Sequence, residues 1–282
     1  MKLAYPTFSA EDMRAFEPSM KIGLLATVNP QGLPHLTMIS TLKAAAPDQV
    51  VWGQFTEGLS KEHVRSNPRT GFLIMSLAKE VWRGKALWNR SQQHGPDYDF
   101  YNNTPMFRYN AYFGVHTVHY MDLGGHTGRQ PLPMNAVIFA AMKTMLARSL
   151  APGKAREEAL NAWTLAFLRK LDNLKFLAYI DEDGYPLIIP VIQAQAAGRD
   201  EVIFSTSAFG EELRAVPPGA AVALLGLALS MEDVLLRGVY GGLKRRAGIL
   251  CGSLRVDWVY NCMPPAPAQI YPPQPIMPVV EF

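Results

Sequence analysis

Apolar positions along this chain fall in short runs punctuated by turn-forming clusters, which is the signature of strands. Residues 22–28 are apolar and partly β-branched, and Asn29-Pro30-Gln31-Gly32 is turn chemistry leading into a second run over 36–42. Such a pair predicts a hairpin. Residues 44–48 form a second turn and 50–55 a third strand, and 60–66 read as a short helix closed by Asn67-Pro68. Further strands are predicted over 70–78, 81–88 and 112–122. Many antiparallel strands at short spacing suggest a closed barrel, which removes exposed sheet edges.

The pattern then repeats. Leu25-Ala26-Thr27-Val28 and Gly32-Leu33-Pro34 recur 152 positions later as Leu177-Ala178-Tyr179-Ile180 and Gly184-Tyr185-Pro186. The register holds without a gap through Ala44/Ala196, Asp48/Asp200, Val50/Val202 and Gly58/Gly210. The second copy predicts strands over 176–180, 187–193, 202–205, 221–227 and 234–240, with a helix over 210–215. Between the copies the apolar spacing changes to three and four residues, which predicts a helical hairpin over 135–150 and 154–171. The expected organisation is a first barrel over 1–128, a helical connector over 129–172 and a second barrel over 173–262. A proline-rich arm over 263–282, with neither helical nor strand period, completes it.

Composition adds mainly exclusions. With 49% hydrophobic and 18% charged residues the chain has ample material for buried cores. Its formal charge of +3 demands no nucleic-acid partner, and Lys244-Arg245-Arg246 reads as a solvated turn. The two cysteines, Cys251 and Cys262, fit free thiols better than a disulfide framework. Residues 1–20 carry Glu11, Asp12 and Glu17 and lack a signal-peptide core, and the longest apolar run, 219–231, is short of the roughly 20 residues of a membrane helix. A soluble, cytoplasmic protein without a membrane partner is expected. No Walker A loop, dinucleotide-binding glycine motif or Gly-x-Ser-x-Gly elbow is present.

Chemistry concentrates where the copies diverge. The first carries Thr56-Glu57-Gly58-Leu59-Ser60-Lys61, and the second Ala208-Phe209-Gly210-Glu211-Glu212-Leu213. In the first, a strand ends near Phe55 and a helix starts close to Ser60, a good N-cap residue. Free N–H groups of a first helical turn favour an anion, Lys61 adds a charge, and Thr56 and Ser60 add hydroxyl donors. These residues suit a phosphate cradle, and equally an ordinary cap with an exposed lysine. In the second copy two carboxylates at the helix start would repel a phosphate, so that half reads as a structural partner.

The arrangement Leu-Ala-Thr-Val, turn, Gly-Leu-Pro-His, strand, Asp, strand, Thr-x-Gly-x-Ser-Lys, helix, Asn-Pro resembles the FMN-binding split barrels. These are the pyridoxamine 5′-phosphate oxidase-like and flavin-reductase-like proteins. Residues 21–76 carry the strongest match, and the resemblance implies two tandem split β-barrels joined by the helical hairpin. It also implies FMN as cofactor, with its phosphate on Thr56, Ser60 and Lys61. The ring would lie along Thr37, Met38, Ile39 and Ser40, with Gln54 and Phe55 beside the ribityl chain. Trp82, opening a strand next to this place, joins the candidate set. His35 and Ser40 stand where oxidases of pyridoxamine phosphate carry basic residues, and Ser-Lys replaces Ser-Arg-Lys, which disfavours that substrate. An FMN-dependent oxidoreductase with a small-molecule redox substrate follows, in a chain that pairs as a homodimer or completes its site with its own second barrel.

Other groupings compete. His116-x-x-His119 would point to opposite faces of one strand, so no metal site is expected there. Some split barrels bind haem, for which His94 or His126 could be the axial ligand, so a haem or flavin carrier or a redox sensor is the alternative class. Trp52, Trp82 and Trp88 fit core or interface positions. Tyr98, Tyr101, Phe107, Tyr109, Tyr112 and Phe113, flanked by Arg108, read either as a packed loop or as a lid over the flavin.

Overall fold

The computed structural model describes the chain except residues 57, 106, 109–113, 154, 231, 263–267 and 276–282. It is mainly β, with two eight-stranded antiparallel sheets. By packing, the chain divides into one unit made of Met1–Pro133 with Ala178–Ile188, and another made of Met134–Leu177 with Ile189–Phe282.

The first sheet is preceded by α1 (Ala10–Ala15), closed at its start by a reciprocal Ser9–Asp12 capping box. Its strands are β1 (Ile22–Val28), β2 (Pro34–Met38), β3 (Lys43–Ala46) and β4 (Gln49–Gln54), then, after α2 (Leu59–Ser66), β5 (Arg69–Met75) and β6 (Glu80–Gln92). Helix α3 (Pro96–Asn102) leads to β7 (Thr117–His126) and the short β8 (Gln130–Pro131). The strand order is β2-β1-β5-β6-β7-β4-β3, with β8 on β6. The end strands β2 and β3 are consecutive in the chain, yet among the described residues no ladder closes the sheet between them. At that point the chain turns tightly: Ile39 N–H donates to Gly23 O at 2.7 Å, and a Cβ on Gly23 would lie 2.3 Å from Ile39 O. Strand β4 shows why the sheet needs both faces covered. Alternate side chains point to opposite faces: Val50 and Trp52 enter a core with Leu25, Phe72, Trp82 and Met121, while Val51 joins Tyr101, Phe107, Val118 and Tyr120.

The second set begins with α4 (Met134–Leu150) and α5 (Ala162–Arg169), followed by β9 (Leu174–Ile180), β10 (Pro186–Pro190), β11 (Gln195–Ala196) and β12 (Glu201–Ser205). Helix α6 (Gly210–Ala215) precedes β13 (Ala221–Leu227), β14 (Asp233–Arg246), β15 (Ile249–Asn261) and β16 (Ala268–Tyr271). The order β10-β9-β13-β14-β15-β12-β11 repeats the first sheet strand for strand, so the duplication read in the sequence is a duplication of topology. Helix α4 lies on β12 and β15, where Ala147 packs with Ala197, Ile203 and Cys251.

Several expectations are corrected. The second predicted connector helix is confined to Ala162–Arg169, capped by Asn161, whose side chain accepts from Thr164 N–H. Residues 155–160 bond elsewhere instead: Arg156 N–H to Asp200 and Leu160 N–H to Arg199 O. Strand β14 continues past Gly241-Gly242, which form a bulge rather than a stop. Lys244-Arg245-Arg246 is the end of that strand, and the hairpin turns at Ala247-Gly248, both at positive φ. Part of the expected arm is strand β16, paired with β15. The start of the strand predicted from residue 112, and the aromatic residues Tyr109, Tyr112 and Phe113, lie outside the described residues.

Candidate functional site

Helix α2 starts after Gly58, which supplies no side-chain cap, so Ser60 is inside the first turn and not at the N-cap. Its buried residues are Ser60, Lys61, His63 and Val64, three of them polar. Ser60 Oγ lies 2.6 Å from Thr37 Oγ1 on β2, and His63 Nδ1 lies 3.0 Å from Thr27 Oγ1 on β1. His35, opposite Thr27 in the ladder, meets His63 edge-on at 5.0 Å between ring centroids. Residues four apart share a helix flank, and Lys61 and Arg65 together face a cavity of about 490 Å³. Its other walls are Gln54 at the end of β4, residues 91–94 at the end of β6 and beyond, His116 just before β7, Thr117 at its start, and Glu62. A volume of this size is within the ordinary range for ligand pockets.

A chain of hydrogen bonds runs from the core to this cavity. Trp88 Nε1–H donates to His119 Nδ1 at 3.2 Å, and His119 Nε2 is 2.9 Å from Gln54 Oε1. Gln54 Nε2 is 3.4 Å from His116 Nε2, whose Nδ1 is 2.6 Å from Thr117 Oγ1. The His119 ring is fully buried and stacks on Trp52, with centroids 3.9 Å apart and planes 5° from parallel. Burial first, then the charges of Arg65 and Lys61, push its pKa down to about 3, so the imidazole is neutral.

The sequence candidates separate into groups. Gln54 and Lys61 line the cavity. Thr37 and Ser60 bond each other beneath α2. Met38 pairs with Leu24 in the β1–β2 ladder, Ile39 packs on the core, and Ser40 is half-buried in the following turn. Phe55 packs on Phe107 at 5.3 Å, and Thr56 is exposed. Trp82 is not brought to the cavity: it is fully buried, edge-on to Phe16, and its Nε1–H donates to Asp12 at 2.7 Å. Tyr101 is likewise a packing residue, its hydroxyl bonded to Thr41 O at 2.7 Å.

Sequence reasoning missed Arg65, Gln92, Gln93 and Thr117, although the four-residue spacing from Lys61 to Arg65 is a signal for the first. The expectation that His116 and His119 diverge also fails. His116 precedes β7, so strand alternation does not govern it, and both imidazoles meet the Gln54 amide. Among the described residues no group of His, Cys, Asp and Glu is arranged to hold a metal. His126 has both ring nitrogens on backbone partners, Thr7 O and Gly128 N–H, whereas His94 is exposed at the cavity.

In the second copy the corresponding place is filled. Leu213, matching Lys61, is fully buried and its carbonyl accepts from Tyr240 Oη at 3.1 Å. Tyr240 matches Trp88, and its ring lies parallel to Phe204, the counterpart of Trp52. Gly252 pairs with Phe204 as His119 pairs with Trp52.

No family model matches the chain, and no curated protein matches it. Solved structures do. An FMN-binding protein from Syntrophomonas wolfei subsp. wolfei is 14% identical, over 41% of this chain and 81% of its own, with a TM-score of 0.35. An F420 reductase is 15% identical over 43% of this chain and 98% of its own, with a TM-score of 0.35. The styrene monooxygenase flavin reductase from Pseudomonas putida S12 is 10% identical over 40% and 83%, with a TM-score of 0.28. Each likeness spans about two fifths of this chain.

Proposed function

We propose that this chain is a flavin-binding protein whose site is the α2–β4–β7 cavity of the first copy, and that the flavin is FMN. The observation that carries the reading is the donor set. Lys61 and Arg65 bring full positive charge to one flank, and Gln54, Gln92, Gln93 and Thr117 bring amide and hydroxyl donors to the other walls. That combination suits a ligand with a dianionic phosphate and an acceptor-rich ring system. It coincides with the Ser60-Lys61 segment, on which the sequence resemblance to FMN-binding split barrels rests.

Lys61 and Arg65 would hold the phosphate, and Gln54 and its neighbours the polar groups of the remainder. When bound, FMN supplies one- and two-electron redox chemistry; the protein supplies binding, orientation and electrostatics. The corresponding activity is an FMN-dependent oxidoreductase acting on a small-molecule redox partner, working in the cytoplasm and pairing as a homodimer. Among the described residues no helix is long and apolar enough to cross a membrane.

The test is an absorbance spectrum of the freshly purified protein, followed by FMN titration of the ligand-free form. Flavin bands or tight FMN uptake support the reading, and a colourless protein indifferent to FMN overturns it. A Soret band would instead favour haem, with His94 as the cavity imidazole for an axial role.

A further inference from the structure

Every link of the hydrogen-bond chain beside the cavity has a definite direction, because its inner end is a group that can only donate. The Trp88 indole N–H offers no lone pair, so His119 Nδ1 is the acceptor. A neutral imidazole carries one proton, which must then sit on Nε2 and be donated to Gln54 Oε1 at 2.9 Å. Turning the Gln54 amide over would aim N–H donors at both ring nitrogens, an arrangement only an imidazolate could accept. Gln54 is therefore held with its oxygen inward and its amino group outward, toward His116 Nε2 at 3.4 Å and the cavity it lines. Accepting at Nε2, His116 carries its proton on Nδ1 and donates to Thr117 Oγ1 at 2.6 Å. Gln93 Nε2–H donates to that same oxygen at 3.4 Å. From Trp88 through His119, Gln54 and His116 to Thr117, donation runs one way.

We propose that His119 is a positioning residue which, locked as its Nε2–H tautomer by Trp88, fixes Gln54 as a hydrogen-bond donor and makes this wall of the cavity selective for ligands that present acceptors. The stack on Trp52 holds the ring plane, and burial beside Lys61 and Arg65 keeps the ring neutral. The identity of the ligand rests on the flavin reading: FMN offers acceptors at its phosphate and at the carbonyl edge of its ring. The tautomer and the orientation of Gln54 do not depend on it.

Nitrogen-15 NMR of the full chain, ring-labelled at histidine, reads the tautomer directly. His119 is expected wholly as Nε2–H and without titration between about pH 5 and 8. An Nδ1–H ring, or titration near the ordinary histidine value, overturns the inference. Trp88→Phe removes the inner donor, so mixed tautomers should follow, with FMN binding weakened about tenfold, the scale of one hydrogen bond. Mixed tautomers with unchanged FMN affinity would cut the link from His119 to the ligand and sink the proposal. If that variant does not fold, Gln54→Leu serves in its place: it should lose FMN affinity and leave the His119 tautomer unchanged, and retained affinity refutes the donor role. Should the wild-type chain take up no FMN, the flavin reading fails by itself. Inorganic phosphate, an acceptor-only probe, then decides: a shift of the Gln54 amide resonances supports the donor wall, and no shift refutes it.

Discussion

The two copies place aromatic rings at the same node of the same sheet and do opposite things with them. In the first, Trp52 and Trp88 surround a buried imidazole, and the bonds of that ring lead outward to an open polar cavity. In the second, the imidazole position is Gly252, and the vacated space is taken by the parallel rings of Phe204 and Tyr240. A Cβ on Gly252 would lie 2.4 Å from Phe204. Tyr240 then donates to the carbonyl of Leu213, at the position that carries Lys61 in the first copy. One scaffold contact survives in both: the side chains of Thr41 and Gln193, equivalent by register, donate to the carbonyls of Gly53 and Ser205. Sheet order and this turn contact are thus compatible with either a wet site or a dry core. What decides between them is a handful of side chains around one strand pairing.

The sharpest way to break the comparison is to put the imidazole back. Gly252→His must displace both Phe204 and Tyr240 and should cost about 3 kcal/mol or more, as overpacked cores do, read by urea denaturation with fluorescence. The next effect is acid sensitivity confined to the first copy. His119 has a folded pKa of about 3 against about 6.5 unfolded, so between these values the unfolded chain binds the extra proton. Stability should therefore be full above about pH 6.5 and fall on acidification toward pH 3, by on the order of a few kcal/mol. Hydrogen exchange should show β4 and β7 losing protection before β12 and β15. Lys61→Ala should weaken FMN binding by about 1.5–3 kcal/mol, the scale of a charge-assisted bond, measured by fluorescence titration. Leu213→Ala should leave FMN affinity unchanged and cost only stability. Smallest of all, Tyr240→Phe removes one neutral hydrogen bond and should lower stability by about 1 kcal/mol, with flavin uptake untouched.

Much of this architecture is legible in the sequence because turn chemistry and apolar runs recur in one register. The 152-residue shift from Leu25/Leu177 to Gly58/Gly210 is matched by identical strand order, and it extends to Trp88/Tyr240. Helix α6 and strand β13 fall on the residues expected from pattern alone. Strand β15 was not legible, because the glycines and the basic triplet before it read as punctuation, whereas the ladder absorbs them as a bulge. Helix α1 carries a readable signal, Ser9 followed three residues on by Asp12, but its six residues are too short to show an apolar period. The site was half legible. Lys61 announces itself by charge next to a turn, and Gln54 by place at a strand end. Arg65 needs the helical phase, and His116 and Thr117, just before and at the start of β7, lie tens of residues from α2 in sequence, so only the fold brings them to one cavity. Ser60 illustrates the limit in the other direction: its residue type suits a cap, yet packing against Thr37 decides its partner.

The composition of the first unit has a consequence for the order in which the chain is made. Besides Met1–Pro133 it includes Ala178–Ile188, whose Asp183 carboxylate meets Lys85 Nζ at 3.1 Å and whose Ile188 carbonyl accepts from Arg83 at 3.2 Å. A ribosome that has delivered the whole first sheet has still not delivered these partners. The unit is finished only after the helices Met134–Leu150 and Ala162–Arg169 have also been synthesised. A nascent chain halted near residue 133 would therefore hold Lys85 and Arg83 without these counterparts. Separating the two copies by simple truncation should for the same reason yield a first half less stable than its strand count suggests.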